Sequence, residues 1–262
     1  MARMYSLFSS SSGNCTYIGD EKAGILIDAG VSCKRIITAL DNAGIETSAV
    51  KGIFVTHTHS DHIAGLKVLT KRLKVPVYSL AGNLEILARD DKVCADCDLR
   101  EMDTSATAEA GGFAVTAFAT PHDTPVSCGF RIVSEKGASC AVCTDLGEVT
   151  DEIHEQLAKC RLVLLESNYD PKMLRCGPYP PELKNRIASD HGHLSNTDCG
   201  RELARLVLAG VYNFVLGHLS RHNNTPLLAE KCAVQALCDF ERGEDYLLTV
   251  AKPEGTGRAV IF

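Results

Sequence analysis

Thr56-His57-Thr58-His59-Ser60-Asp61-His62 decides how this chain is read. The segment follows the apolar run Gly52 to Val55, so a short buried strand delivers His57, His59, Asp61 and His62 into a polar loop. Three imidazoles and a carboxylate in one turn suit zinc, manganese or iron and not calcium, which takes oxygen ligands. A solvated histidine-rich turn is the plain alternative.

Working outward, three more residues weigh against that alternative. His122 follows the run Phe113 to Ala119 in Thr120-Pro121-His122-Asp123, Asp145 follows Ser139 to Thr144, and His218 follows Asn213 to Leu216. Each lies just past the carboxyl end of an apolar strand, where α/β folds gather their chemistry, and scattered core histidines would not repeat that placement. Asp28 ends the run Ile25 to Asp28 in the same way.

The rest of the chain alternates strand-like and helical segments. Short strands are predicted at 4–8, 15–18, 25–28, 52–56, 75–79, 113–119, 128–133, 139–144, 162–166, 213–216, 246–250 and 258–262. Helices are predicted at 32–43, 64–73, 151–159, 196–208 and 226–237, the last with Thr225 as cap and Pro226 at its first position. The proline-rich stretch 167–190 reads as an irregular surface excursion. This is an α/β pattern with no linker or short-period repeat, so residues 1–262 read as one domain.

Composition narrows the class. With 262 residues, 45% of them apolar, and 21 glycines, the chain is neither disordered nor collagen-like. No stretch approaches the roughly 20 apolar residues of a membrane span, and residues 1–12 lack the apolar core of a signal peptide. The expectation is a soluble, cytoplasmic protein with no membrane partner. Twelve cysteines scattered through apolar segments read as reduced thiols acting as small hydrophobes. Cys94-x-x-Cys97 and Cys140-x-x-Cys143 have zinc-knuckle spacing, but residues three apart in a strand face opposite sides, which favours packing. The 27 basic and 33 acidic residues give a net charge of −6, which argues against coating nucleic acid by bulk charge, though not against a local basic groove.

On these motifs the chain resembles the metallo-β-lactamase superfamily, whose HxHxDH signature matches His57, His59, Asp61 and His62. The resemblance covers nearly the whole chain and implies an αββα sandwich of two mixed β-sheets flanked by helices. It further implies that His57, His59 and His122 hold one divalent ion, that Asp61, His62 and His218 hold a second, and that Asp145 bridges them. Asp28 would orient a ligand from behind, or merely cap the turn after its strand. Zinc or manganese is the expected metal, with iron as an option. Two such ions lower the pKa of a bridging water, the expected nucleophile, and clamp the oxygens of a displacement. Asp61 is placed to accept a proton from that water.

Asp145 stands where zinc β-lactamases of the common type carry cysteine, so antibiotic hydrolysis is not expected. The segments Gly192-His193-Leu194-Ser195-Asn196 and Gly217-His218-Leu219-Ser220 are similar to motifs of the tRNA 3′-processing phosphodiesterases. By that likeness His193 contacts the scissile phosphate or protonates the leaving oxygen, with an ordinary capping-region histidine as the alternative. Ser195 and Asn196 offer a helix N-terminus to a phosphate. Together with the loop from Ser9 to Asn14 and the paired Asn223 and Asn224, the set most resembles the YycJ (WalJ, VicX) branch, regarded as bacterial cytoplasmic nucleases for which 5′-to-3′ exonuclease action on double-stranded DNA is proposed. The long tRNA-gripping arm and the large β-CASP insertion of related RNA enzymes are not evident.

The implied function is a two-metal phosphodiesterase acting on nucleic acid, DNA favoured. Asn14, Asn223 and Asn224 are candidate phosphate contacts or turn formers. Lys67, Lys71, Arg72, Lys74, Lys184, Arg186, Arg201, Arg205 and Arg221 could track a phosphate backbone or form solvated helix faces. The competing readings are an RNA-processing phosphodiesterase, a hydrolase of lactones, thioesters or cyclic phosphodiesters, and a binding protein that has lost its metals.

Overall fold

The computed structural model describes residues 2–104, 106–254 and 258–262. Strands β1 (Arg3–Ser10), β2 (Gly13–Gly19), β3 (Gly24–Ile27), β4 (Val50–Phe54), β5 (Val77–Leu80) and β6 (Leu99–Met102) form one sheet. The other holds β7 (Thr107–Ala110), β8 (Phe113–Ala119), β9 (Cys128–Ser134), β10 (Ser139–Cys143), β11 (Leu162–Glu166), β12 (Asn213–Gly217) and β13 (Leu247–Val250), after which β14 (Val260–Ile261) returns to pair with β1. Each sheet opens as an antiparallel meander, β1 to β3 or β7 to β10, and continues with three further strands in parallel. Parallel neighbours need crossovers, which put helices on the sheet faces.

In the first half the crossovers are α1 (Cys33–Asn42), α2 (Ser60–Ile63), α3 (Leu66–Leu73) and α4 (Ala81–Arg89). In the second they are α5 (Asp151–Leu157), α6 (Pro171–Cys176), α7 (Pro181–Ile187), α8 (Asn196–Leu208) and α9 (Pro226–Ala236). Side-chain alternation along single strands sets the layers. In β11, Leu162 and Leu164 join the core between the sheets, while Val163 and Leu165 join the core beneath α5, α8 and α9. In β3, Ile25 and Ile27 point to the inter-sheet core and Leu26 to the core under α1 and α3. Strands buried on both faces must read as unbroken apolar runs, as these do. The result is the expected αββα sandwich.

α4, β6 and β7 lie outside the sequence expectation. β6 and β7 are four-residue strands at the ends of their sheets, with half or more of their residues exposed or half-buried, so they lack the apolar signature. The stretch 167–190 corrects the expectation of an irregular segment, because α6 and α7 each begin with a proline at the first turn. Proline there starts a helix, since its missing N–H would have no partner anyway. The helix expected at 64–73 forms as α3, and the loop expected before it ends in a further short helix, α2, which carries Asp61 and His62, with Ala64 and Gly65 between the two. A Cβ at Gly65 would stand 2.0 Å from the Val31 carbonyl oxygen, so the chain passes there only as glycine. Among the described residues no helix is long and apolar enough to cross a membrane.

Candidate metal centre

The carboxyl ends of β3, β4, β8, β10, β11 and β12 lead into Asp28, the His57 to His62 loop, His122, Asp145, Glu166 and His218. Three of these residues, Asp28 (φ 61°), Asp145 (φ 60°) and His218 (φ 55°), have left-handed backbones, which bulkier side chains rarely adopt. Such strain costs on the order of 1–3 kcal/mol per residue and collects where function requires it. The His57 to His62 loop is locked from below. The His62 carbonyl accepts the Ala29 N–H at 2.8 Å and the Asn14 carbonyl accepts the Gly30 N–H at 2.8 Å. A Cβ on Gly30 would fall 1.6 Å from the Asp61 carbonyl oxygen.

The side chains converge as two triads. One ligand atom from each of His57, His59 and His122 lies within 4.8 Å of the others, and the same holds for Asp61, His62 and His218. Asp145, 2% exposed, stands between them: its Oδ2 is 3.1 Å from His62 Nε2, and its Oδ1 is 3.7 Å from His122 Nε2 and 3.6 Å from His218 Nε2. Ligand atoms of His57, His62 and Asp145, and of Asp145, Glu166, His193 and His218, gather within the same 4.8 Å. His57 Nε2 is sealed from water with no hydrogen-bond partner, and Asp145 Oδ2 accepts no aligned hydrogen bond. A buried polar atom left so costs about 1–3 kcal/mol, and an imidazole nitrogen facing a carboxylate accepts a cation. The donor set fits divalent metal.

Protonation in the metal-free protein follows charge and burial. Burial pushes His57 well below the usual imidazole range, with the neighbouring His62 adding to it. Burial also opposes charge on His218, but Asp145, Asp61 and Glu166 raise it to about 10. Against the pull of burial, His62 and His218 hold Asp61 well below the ordinary carboxylate range. Asp28 lies behind His62, its Oδ2 2.7 Å from Nδ1, and accepts hydrogen bonds from the Thr56 N–H and hydroxyl. With Nδ1 engaged by Asp28, the His62 Nε2 is left facing the cluster.

Sequence reasoning missed Glu166. This side chain is fully buried, and its Oε1 lies 2.8 Å from both His193 Nδ1 and His218 Nδ1, while Oε2 accepts the Leu146 and Leu194 N–H groups. Burial opposes its charge, but His193 and His218 hold it down to about 2. A signal existed: Glu166 closes an all-apolar strand, in the strand-end position that marked Asp145 and His218. Asn168, which donates to the His218 carbonyl at 2.8 Å, and Ser9, whose hydroxyl accepts the His218 N–H at 2.8 Å, were missed as well. His193 itself is 22% exposed by side chain, at the edge of the cluster.

The residues expected to touch substrate are distributed differently. Asn14 lies inside the centre, its Nδ2 3.0 Å from His62 Nε2 and 3.4 Å from Asp61 Oδ2. Ser195 caps α8, accepting the Asp198 N–H, and is 3% exposed. Asn196 and Asn224 are buried and bonded to each other, with Asn224 also donating to the Ser167 and Asn168 carbonyls. Asn223 is 1% exposed. Ser195, Asn196 and Asn224 are engaged in bonds that knit the loops carrying His193 and His218, whereas the buried Asn223 amide has no hydrogen-bond partner at either atom among the described residues. Of the cations, Lys67 pairs with Asp91, Arg186 with Asp123, Arg201 with Asp198, and Arg205 with Glu202 and Asp151. Lys71, Arg72, Lys74 and Arg221 form no ion pair among the described residues. Cys140 and Cys143 are buried in the two different cores on either side of β10.

Residues 24–218 match the beta-lactamase superfamily domain. Exodeoxyribonuclease YycJ of Bacillus anthracis is 34% identical over 244 residues, 88% of this chain and 87% of that protein. Exodeoxyribonuclease WalJ of Streptococcus pneumoniae is 31% identical over 240 residues, 90% of this chain and 88% of that protein. Among solved structures, the metallo-beta-lactamase fold protein YhfI from Bacillus subtilis superposes with a TM-score of 0.72 at 18% identity, covering 97% of this chain and 98% of that one. The short form of human tRNase Z gives 0.67 at 18% identity, covering 99% and 98%. At such identity these two structures are alike in fold.

Proposed function

Given that the chain belongs to the beta-lactamase superfamily and is a metal-dependent hydrolase, we propose that its substrate is nucleic acid and that it degrades double-stranded DNA from 5′ to 3′. The carrying observation is the His193 and Glu166 pair beside the two triads. His193 Nδ1 is engaged by a buried carboxylate, which leaves Nε2 to meet a substrate oxygen. Similarity over most of its length to two proteins named exodeoxyribonucleases supports DNA over RNA.

Two divalent ions held by His57, His59 and His122, and by Asp61, His62 and His218, with Asp145 between them, would supply an acidified water and positive charge for a phosphate. The chain's own groups do the rest. Asp61, kept ionised by its histidine neighbours, accepts the proton of the attacking water. His193 is buried, which disfavours its charge, but Glu166 raises its pKa so that it carries a proton to the leaving oxygen. Asp28 and Thr56 fix the His62 ring. Lys71, Arg72, Lys74 and Arg221 supply unpaired positive charge for the phosphate backbone.

The test is incubation with Mn²⁺ and duplexes labelled at the 5′ or the 3′ end, beside single-stranded DNA and RNA. Mononucleotides released first from the 5′-labelled end, with loss of activity in His59→Ala, support the reading. Preferential cutting of RNA, or hydrolysis of a cyclic phosphodiester with neither polymer cut, overturns it.

A further inference from the structure

Asp123 follows the metal-triad residue His122 in the chain, and the reaction described above gives it no task. Its two carboxylate oxygens have different surroundings. Oδ2 pairs with the guanidinium of Arg186, which reaches across from α7. Oδ1 is sealed from solvent without a hydrogen-bond partner, and His122 Nε2 lies 3.3 Å from it. That nitrogen is the atom His122 turns toward the His57 and His59 triad, since its Nδ1 is taken by the Gly192 carbonyl at 3.0 Å and its Nε2 lies 3.3 Å from His59 Nδ1.

An ionised carboxylate oxygen sealed from water is costly unless a cation or donor faces it. Arg186 satisfies the other oxygen and fixes the rotamer, so the bare oxygen is held toward the triad. We infer that Asp123 is a positioning residue for the ion held by His57, His59 and His122, its free oxygen attracting that ion or the water on it, with Arg186 holding the carboxylate in place. Asp123 does not join the triad's own cluster of ligand atoms. It acts from just outside, where partners of metal-binding groups commonly change affinity 10–100-fold. The tie also anchors α7, a helix with no buried residue, to the loop after β8. The Gly192 to His193 turn rests on the end of that helix, with the His193 N–H bonded to the Ile187 carbonyl at 2.9 Å.

This inference rests on the metal-centre reading, and calorimetric titration of the chelator-treated full chain with Mn²⁺ separates the two. The wild type is expected to bind Mn²⁺ in two steps. Asp123→Asn, nearly the same shape, is expected to weaken one step at least tenfold and leave the other within twofold, with the unfolding temperature of the chelated protein unchanged. Arg186→Gln, at a side chain 59% exposed, keeps the fold in any case and is expected to weaken the same step to a smaller degree. Wild-type affinity for both steps in both variants overturns the role of Asp123 and leaves the metal centre standing, as does an equal weakening of both steps. Failure of the wild type itself to bind Mn²⁺ overturns both.

Discussion

Replacing Glu166 by Gln keeps the shape of the most connected buried carboxylate and removes its charge. The size of the effect follows from its ionisation. A carboxyl held at about 2 in the fold, against 4.5 in the unfolded chain, contributes about 3 kcal/mol of stability. Because the folded value is the lower one, this contribution is complete above pH 5 and is lost as the pH falls toward 2. Glutamine cannot replace it in either orientation. With its amide turned to His193 and His218 it meets two ring nitrogens that carry protons, and turned the other way it meets the Leu146 and Leu194 N–H groups. Urea unfolding of chelator-treated protein, followed by circular dichroism, is expected to show the variant about 3 kcal/mol less stable at pH 7. That corresponds to a melting temperature about 6–12 °C lower. By pH 3 the gap should shrink to less than half. Divalent uptake should weaken about 10–100-fold, since His218 loses its support. A difference below about 1 kcal/mol at pH 7, or a gap that does not narrow in acid, would refute the reasoning.

Other outcomes are expected as well. Gly30→Ala forces a methyl group into the Asp61 carbonyl, so the metal loop must move; the variant should lose about 3 kcal/mol or more and retain less than one divalent ion per chain by elemental analysis. In the metal-free protein His218 is raised to about 10 from 6.5, so the stability it lends is whole below pH 6.5 and lost as the pH climbs through 10; thermal melts from pH 7 to 10 should fall accordingly. With metal bound the trend from pH 6 to 8 should reverse, because binding displaces protons. Mn²⁺ at 100 times its dissociation constant should add about 2.7 kcal/mol to the unfolding free energy, an increment abolished in Asp145→Ala. In a thiol titration of native protein, Cys176 and Cys238 should react first and the seven buried cysteines last, with no zinc released.

Residues that serve the site by type were legible from sequence, and residues that serve it by contact were not. His57, His59, Asp61 and His62 announce themselves because four ligands crowd one loop, and His122, Asp145 and His218 because each ends an apolar strand. Glu166 ends such a strand too, but a lone carboxylate is as readily read as the first solvated residue past a strand. Only the fold reveals that β10 and β12 flank β11 and carry Asp145 and His218 beside it. The asparagines are ambiguous in sequence for the opposite reason. Amides near a phosphate-binding motif read as substrate contacts, yet Asn196 and Asn224 are sequence-distant partners that satisfy each other. The layering was legible from unbroken apolar runs, whereas β6 and β7, exposed edge strands, carry no such pattern.

The two halves of the sandwich solve one geometric problem in the same way. β3 and β10 occupy equivalent places, each the last strand of a meander and the first of a parallel set. Each is followed within two residues by an aspartate in the left-handed conformation, Asp28 in one half and Asp145 in the other. A left-handed residue turns the chain sharply as the strand ends, so the carboxylate stays at the sheet rim and the following backbone is freed to bond elsewhere. After Asp28 the Ala29 N–H holds the metal loop at the His62 carbonyl and the Gly30 N–H holds β2 at the Asn14 carbonyl, and after Asp145 the Leu146 N–H holds Glu166. The two carboxylates then approach His62 from opposite ends of one ring, Asp28 at Nδ1 and Asp145 at Nε2. Strain at both turns is therefore the structural cost of fixing that ring between the sheets. Relieving it at Asp28 by glycine should leave the fold intact while loosening the metal, because the turn survives and the carboxylate does not.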